Sequence, residues 1–156
     1  MAAPWKVLDL DPDEPLKRAV PKLARARLQE TFSYQSQLLK TYDAEVVHDM
    51  RVSARRLQTV LRTFHEVLPR KRVKPYERRV DELVRLLGDV REMDVALAVL
   101  TVPMSASQTR LSGVAILAAR LEYHRNVARK HLTRFLTRLD RERFKDRFSD
   151  VFGKER

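Results

Sequence analysis

Between Val47 and Leu68 the apolar residues fall at alternating intervals of three and four: Val47, Met50, Ala54, Leu57, Leu61, Phe64 and Leu68. That spacing draws one stripe down an α-helix and cannot form one face of a strand, so the segment is committed to a helix that buries a single seam. Similar runs recur along the chain, and prolines punctuate them at helix-length intervals. A first long helix is expected from residue 13, kinked at Pro21 or properly beginning there, to about residue 40, with Leu23, Ala26, Leu28, Phe32 and Leu39 inward. The second starts at an Asp43 N-cap and runs to Leu68, stopping before Pro69. Residues 69–75, basic and bounded by Pro69 and Pro75, read as a short connection. The third helix covers about 75 to 101, ending before Pro103, and the fourth, opened by a Ser105/Gln108 capping box, covers 105 to about 139. A shorter helical piece over 141 to 152 closes the chain.

Long helices with short connections favour antiparallel neighbours, so the fold class expected is all-α, an up-and-down bundle of four long helices plus a short C-terminal helix. A coiled-coil dimer is the rival, disfavoured because Pro69, Pro75 and Pro103 break the pattern. Residues 1–12 have no period and form an N-terminal arm; residues 13–156 form one domain, as a length of 156 suggests. Three glycines are too few for a turn-rich β fold. The lack of cysteine excludes disulfides, thiol catalysis and Cys-containing zinc fingers. No apolar run reaches the roughly 18 residues of a membrane span or resembles a signal peptide, so a cytoplasmic protein without membrane insertion is expected.

Charge narrows the partner. Thirty-two Lys and Arg against 21 Asp and Glu leave a formal net charge of +11, which points to a polyanion. Up to Arg72 the count is 14 basic to 9 acidic, from Val73 to Met104 it is 5 to 6, and from Ser105 onward it is 13 to 6. The third helix therefore carries none of the excess. On the second helix His48, Arg51, Arg55, Gln58, Arg62 and His65 lie about 100° round from the apolar seam, in a stripe without a carboxylate. The fourth helix is free of acids from Tyr123 to Leu139 and carries Arg125, Arg129, Lys130, Arg134 and Arg138. The first contributes Arg18, Lys22 and Arg25 on one face. The expectation is a basic groove built on the second helix with the first and fourth. Guanidinium groups grip phosphate oxygens in pairs, and a row of cations can follow a flexible phosphate chain without reading a sequence. Readers of single-stranded nucleic acid interleave aromatics for base stacking, whereas the one aromatic of the second helix, Phe64, sits on the apolar seam.

The segment His48-Asp-Met-Arg51-Val-Ser-Ala-Arg55-Arg56-Leu, followed by Leu87-Gly88-Asp-Val-Arg91-Glu-Met-Asp94-Val95, resembles the CHAD family, α-helical domains named for their histidine. The resemblance covers the four helices, and the pair of motifs is specific. It implies a helical fold of two four-helix bundles related by a pseudo-twofold, binding inorganic polyphosphate through inward basic side chains, often at polyphosphate granules, and in some members fused to a triphosphate-processing domain. It assigns phosphate contact to His48, Arg51, Arg55, Arg56, Arg62 and Arg91. Lys22, Arg25, Lys130, Arg134 and Arg138 join them from the basic faces of the first and fourth helices. Two positions depart from the pattern: Gln58 replaces a frequent basic residue, and Glu92 a usual Asp. The chain also matches only one of the two bundles, from which a homodimer with a shared channel is expected.

Asp94 lies in register with the apolar seam of the third helix and is expected to pair with an arginine of the second and orient it, in a supporting role. Gly88 reads as a close-packing position. His48 has no second histidine one turn away, and Asp89, Glu92 and Asp94 are split between faces, so neither a metal site, a cofactor nor catalysis is expected. As a phosphate donor an imidazole works best protonated, so binding should be tighter at about pH 6 than at about pH 8. The alternative readings are a sequence-nonspecific nucleic-acid-binding protein and a scaffold subunit docking an acidic partner.

Overall fold

The computed structural model describes residues 3–100 and 108–153, with side chains from 113 onward in the second stretch. Every regular element among the described residues is a helix: α1 (Leu16–Ser33), α2 (Gln35–Thr41), α3 (Ala44–Thr63), α4 (Arg70–Leu100), α5 (Gln108–Arg141) and α6 (Phe144–Gly153). The all-α bundle of four long helical stretches and a short closing helix is therefore as expected. The Ser105 half of the expected capping box lies outside the described residues.

α3 packs between α1 and α4, and α5 packs on the other side of α4; α6 lies across α1 and also touches α5 and α4, joining the two outer helices of the row. The seam read from sequence is the core. Val47, Met50, Ala54, Leu57 and Leu61 of α3 meet Val20, Ala24 and Leu28 of α1, Leu83, Leu87 and Val90 of α4, and Leu132, Leu136 and Leu139 of α5, all buried. Burying each large aliphatic side chain contributes about 1.5 to 3 kcal/mol, so this seam supplies much of the driving force. α6 adds Phe144, Phe148 and Phe152 at intervals of four. They bury one face against Phe32 and Tyr76, with Phe148 and Phe152 stacked at 4.2 Å.

The starts of α1 and α4, the end of α3 and the course of the first long helix are settled by tertiary and capping contacts. α1 begins at Leu16, which selects the reading with Pro21 inside the helix over the one that starts there, whereas α4 begins at Arg70, so residues 70–75 are helix and not a connection. In both cases a proline stands just before the helix and its carbonyl accepts the first bonds: Arg18 and Ala19 donate to Pro15, and Arg72 and Val73 donate to Pro69. A second proline six residues on, Pro21 or Pro75, then lies inside the helix and forfeits one donor in its second turn. Burial of Val73 and Leu68 draws this region onto the core. α3 stops at Thr63, and residues 64–68 turn back while keeping Leu68 buried. The first long helix is interrupted at Tyr34 and ends at Tyr42, whose backbone is left-handed at φ 48°. Asp43 caps α3 as expected, its carboxylate accepting from Glu45 N at 2.9 Å and Val46 N at 3.2 Å.

Candidate functional site

The basic stripe of α3 lies on the flank of the helix that faces α4. Arg51 passes beside Gly88: a Cβ built there would lie 3.9 Å from its Nε, an ordinary contact, so glycine is not demanded for packing. Further along, Gln58 donates to Asp81 Oδ1 at 2.8 Å and Arg62 to the same oxygen at 3.0 Å. The stripe is free of acids on its own helix, but α4 neutralises its far end, and Arg62 is committed there. Gln58, the departure from the family pattern, shares that carboxylate. The near end is different. His48, Arg51 and Arg55 have no hydrogen bond or ion pair from their side chains among the described residues, and Arg51 Nε is buried without an acceptor. Spaced three and four apart, they present three basic groups on one face, with Arg55 exposed.

Arg56 does not belong with them. One residue further round, it points to the opposite flank and donates to Glu30 Oε1 at 2.8 Å, where α1 packs. Glu30 is fully buried and also pairs with Arg27, so Arg56 is half of a charge compensation inside the bundle. Lys22 is likewise engaged, donating to the Asp9 carbonyl at 2.8 Å and to Glu14 at 2.9 Å, which straps the N-terminal arm across α1. Lys22 holds Glu14 below the usual carboxylate range. Arg27 fastens the arm again through the Trp5 carbonyl, at 2.8 Å. Arg25 runs toward the end of α6, its guanidinium 3.4 Å from where a Gly153 Cβ would sit. Arg138 donates to Glu82 at 3.2 Å, and Arg91 to the Ala44 carbonyl at the start of α3, at 3.2 Å.

Lys22, Arg56, Arg62 and Arg138, expected to face one groove, are thus each engaged by a partner within the chain. α4, the helix without excess charge, packs against both α3 and α5. Lys130 and Arg134 of α5 are exposed and line a separate cavity of ≈ 470 Å³ with Tyr42, Asn126, Arg129 and Thr133.

Asp94 is buried, its side chain 3% exposed, but its partners come from α5 and not from the second long helix: Arg129 at 3.4 Å and Arg125 at 3.8 Å. Burial pushes its carboxyl above the ordinary 3.8, outweighing Arg129, Arg125 and Arg91. The same desolvation, with Arg125 alongside, pulls Arg129 down from its usual value. Arg129 is held by a bond to the Tyr42 carbonyl at 3.1 Å and by the Tyr42 ring 5.0 Å beneath its guanidinium. Sequence reasoning counted Arg125 and Arg129 in a basic segment without singling them out. The missed signal was their register with Leu132 and Leu136, which places two arginines on the inward face of α5 opposite an acid on the seam of α4.

Among the described residues no helix is long and apolar enough to cross a membrane, and no group of three or more acidic or histidine side chains is placed to hold a metal ion. Such a helical bundle, with paired arginines inside and, among the described residues, unpaired ones along one flank, is a basic α-helical domain. The family model for the CHAD domain matches residues 22–156, and the chain belongs to that family, which is linked to polyphosphate binding and is generally non-catalytic. No curated protein and no solved structure matches the chain.

Proposed function

We propose that the chain binds inorganic polyphosphate on the α3 flank formed by His48, Arg51 and Arg55, without catalysing a reaction. The observation that carries this reading is the contrast in pairing. Arg56, Arg62 and Arg138 each meet a carboxylate, whereas Arg51 and Arg55 meet none among the described residues and Arg51 keeps a buried donor without an acceptor. A buried donor left unbonded costs about 1 to 3 kcal/mol, and a phosphate oxygen would recover that. The flank offers no aromatic platform, which favours a phosphate chain over single-stranded nucleic acid.

The test is competition between polyphosphate, single-stranded DNA and RNA at one fixed ionic strength, since any basic protein binds all three at low salt. Polyphosphate should win, and Arg51→Ala/Arg55→Ala should lose most of the binding with an unchanged far-UV spectrum. Equal affinity for all three polyanions would favour the nonspecific nucleic-acid reading. Assembly of two copies is part of the same proposal. It is supported by the exposed apolar side chains Val95, Val99, Ile116, Leu117 and Tyr123 where α4 and α5 run toward their connection. A monomer by light scattering both with and without polyphosphate would remove it. Placement at polyphosphate granules inside the cytoplasm belongs to the same proposal.

A further inference from the structure

The cavity on α5 has the make-up of a second anion site. Its lining is three cations, Arg129, Lys130 and Arg134, and three neutral hydrogen-bonding side chains, Tyr42, Asn126 and Thr133, without a carboxylate. At ≈ 470 Å³ it is far larger than the share of one water molecule, about 30 Å³, and admits an anion of several heavy atoms. Lys130 and Arg134, one turn apart, have no ion pair among the described residues.

Arg129 is built into place at the rim. Its Nε is buried without an acceptor, and Asp94 approaches it from the inner side only to 3.4 Å, longer than the roughly 2.7 to 2.9 Å of a close charged hydrogen bond. The pairing therefore leaves donor capacity on the guanidinium. Tyr42 fixes it from the other side. Its ring lies under the guanidinium, and its hydroxyl donates to the Arg129 carbonyl at 2.8 Å and sits 2.6 Å from Thr133 Oγ1. Those contacts hold Tyr42 in a left-handed backbone that a tyrosine seldom adopts. A cation already locked in this way loses little freedom on binding, which is the energetic advantage of a preorganised site. The Tyr42 ring is taken up by Arg129, so no base could stack on it; a phosphate chain fits the lining and a nucleobase does not.

The two basic regions use different flanks of α4. Arg51 passes Gly88, and the rest of its stripe bonds Asp81; α5 meets the same helix through Glu82 and Asp94. We infer that α5 carries a second, independent polyphosphate site on Arg129, Lys130 and Arg134, so that one chain grips two phosphate segments on separate faces and can bridge two polymers. The inference takes its ligand class from the α3 reading, and its test separates the two.

Inorganic tripolyphosphate, a chain of only three phosphates, serves as the probe, titrated calorimetrically at an ionic strength of about 0.15 M. The expected result is about two equivalents per chain for the wild type and about one each for Arg51→Ala/Arg55→Ala and Lys130→Ala/Arg134→Ala, since each site acts by itself. Arg55, Lys130 and Arg134 are exposed and Arg51 is partly buried, and far-UV spectra check the fold. One equivalent, lost in the Arg51/Arg55 variant alone, would overturn the second site and leave the proposed function standing. One equivalent lost only in the Lys130/Arg134 variant would overturn the α3 reading and with it the two-faced arrangement. One equivalent weakened by both variants would mean a single shared site and overturn the inference.

Discussion

Arg56 is the residue at which motif and geometry disagree most directly, so its substitution is the most informative. Among the contacts that Arg56→Ala removes is a charge-assisted hydrogen bond of 2.8 Å to the fully buried Glu30. Such bonds contribute about 1.5 to 3 kcal/mol, and truncating one partner of a buried pair is worst when the other charge is left alone. Glu30 keeps Arg27 on its second oxygen, so it is not orphaned. An expected cost of about 2 kcal/mol lowers Tm by roughly 4 to 8 °C in a domain of this size. Glu30→Gln should cost more, about 3 kcal/mol, because two arginines then face a neutral amide. That figure sits at the low end of the range since the Arg27 and Arg56 side chains keep 11% and 26% exposure to water. Urea denaturation followed by far-UV circular dichroism measures the stability loss, and calorimetric titration with polyphosphate measures binding. Both variants should destabilise while binding stays within about twofold, a free-energy change below roughly 0.5 kcal/mol. An Arg56→Ala protein of wild-type stability that binds tenfold more weakly would refute the reasoning and return Arg56 to the ligand.

Lys22→Ala should also spare polyphosphate binding, because its ammonium is engaged by Asp9 and Glu14; instead it should loosen the arm and shift the emission of Trp5, the only tryptophan in the chain. A loss of binding with unchanged fluorescence would contradict this. Asp94 has a carboxyl raised above 3.8, so the folded chain keeps its proton to higher pH than the unfolded chain. Its contribution to stability is greatest below that value and declines as pH rises through the raised one. The stability of the wild type minus that of Asp94→Asn, taken from urea midpoints between about pH 4 and pH 7, should fall with pH; a flat or rising difference would count against the burial argument. Gly88→Ala places its methyl at ordinary contact distance from Arg51, and should gain about 0.5 to 1 kcal/mol from helix propensity without loss of binding. A destabilised Gly88→Ala protein would show that α3 and α4 need the missing side chain after all.

Much of the bundle was legible because helix formation here is a local matter. The interval of three and four from Val47 to Leu61 named the buried face of α3, and Asp43 announced its start through a carboxylate that bonds two otherwise unsatisfied amides. The proline pairs were harder. Pro15 with Pro21, and Pro69 with Pro75, permit a helix to begin at either member, and only the burial of residues such as Val73 selects the first. For the site, the stripe of His48, Arg51 and Arg55 was visible as a face without acids. Arg56, which the resemblance groups with them, turns to the other flank and pairs with Glu30, because neighbours in sequence diverge by about 100° on a helix.

Charge pairing is where the chain alone falls silent. Period and capping are written within a few residues of where they act, so the amino-acid order was enough to define four long helices, their inward faces and an excess of cations on three of them. The partner of a charged side chain is a matter of which helix comes to lie alongside. Asp81 reaches Arg62, Glu30 reaches Arg56 and Asp94 reaches Arg129 across separations of 19, 26 and 35 residues. Packing α3 between α1 and α4, and α4 between α3 and α5, decided these meetings. Among the described residues, Arg51 and Arg55 meet no anion once the bundle has closed, and the proposed ligand site rests on them.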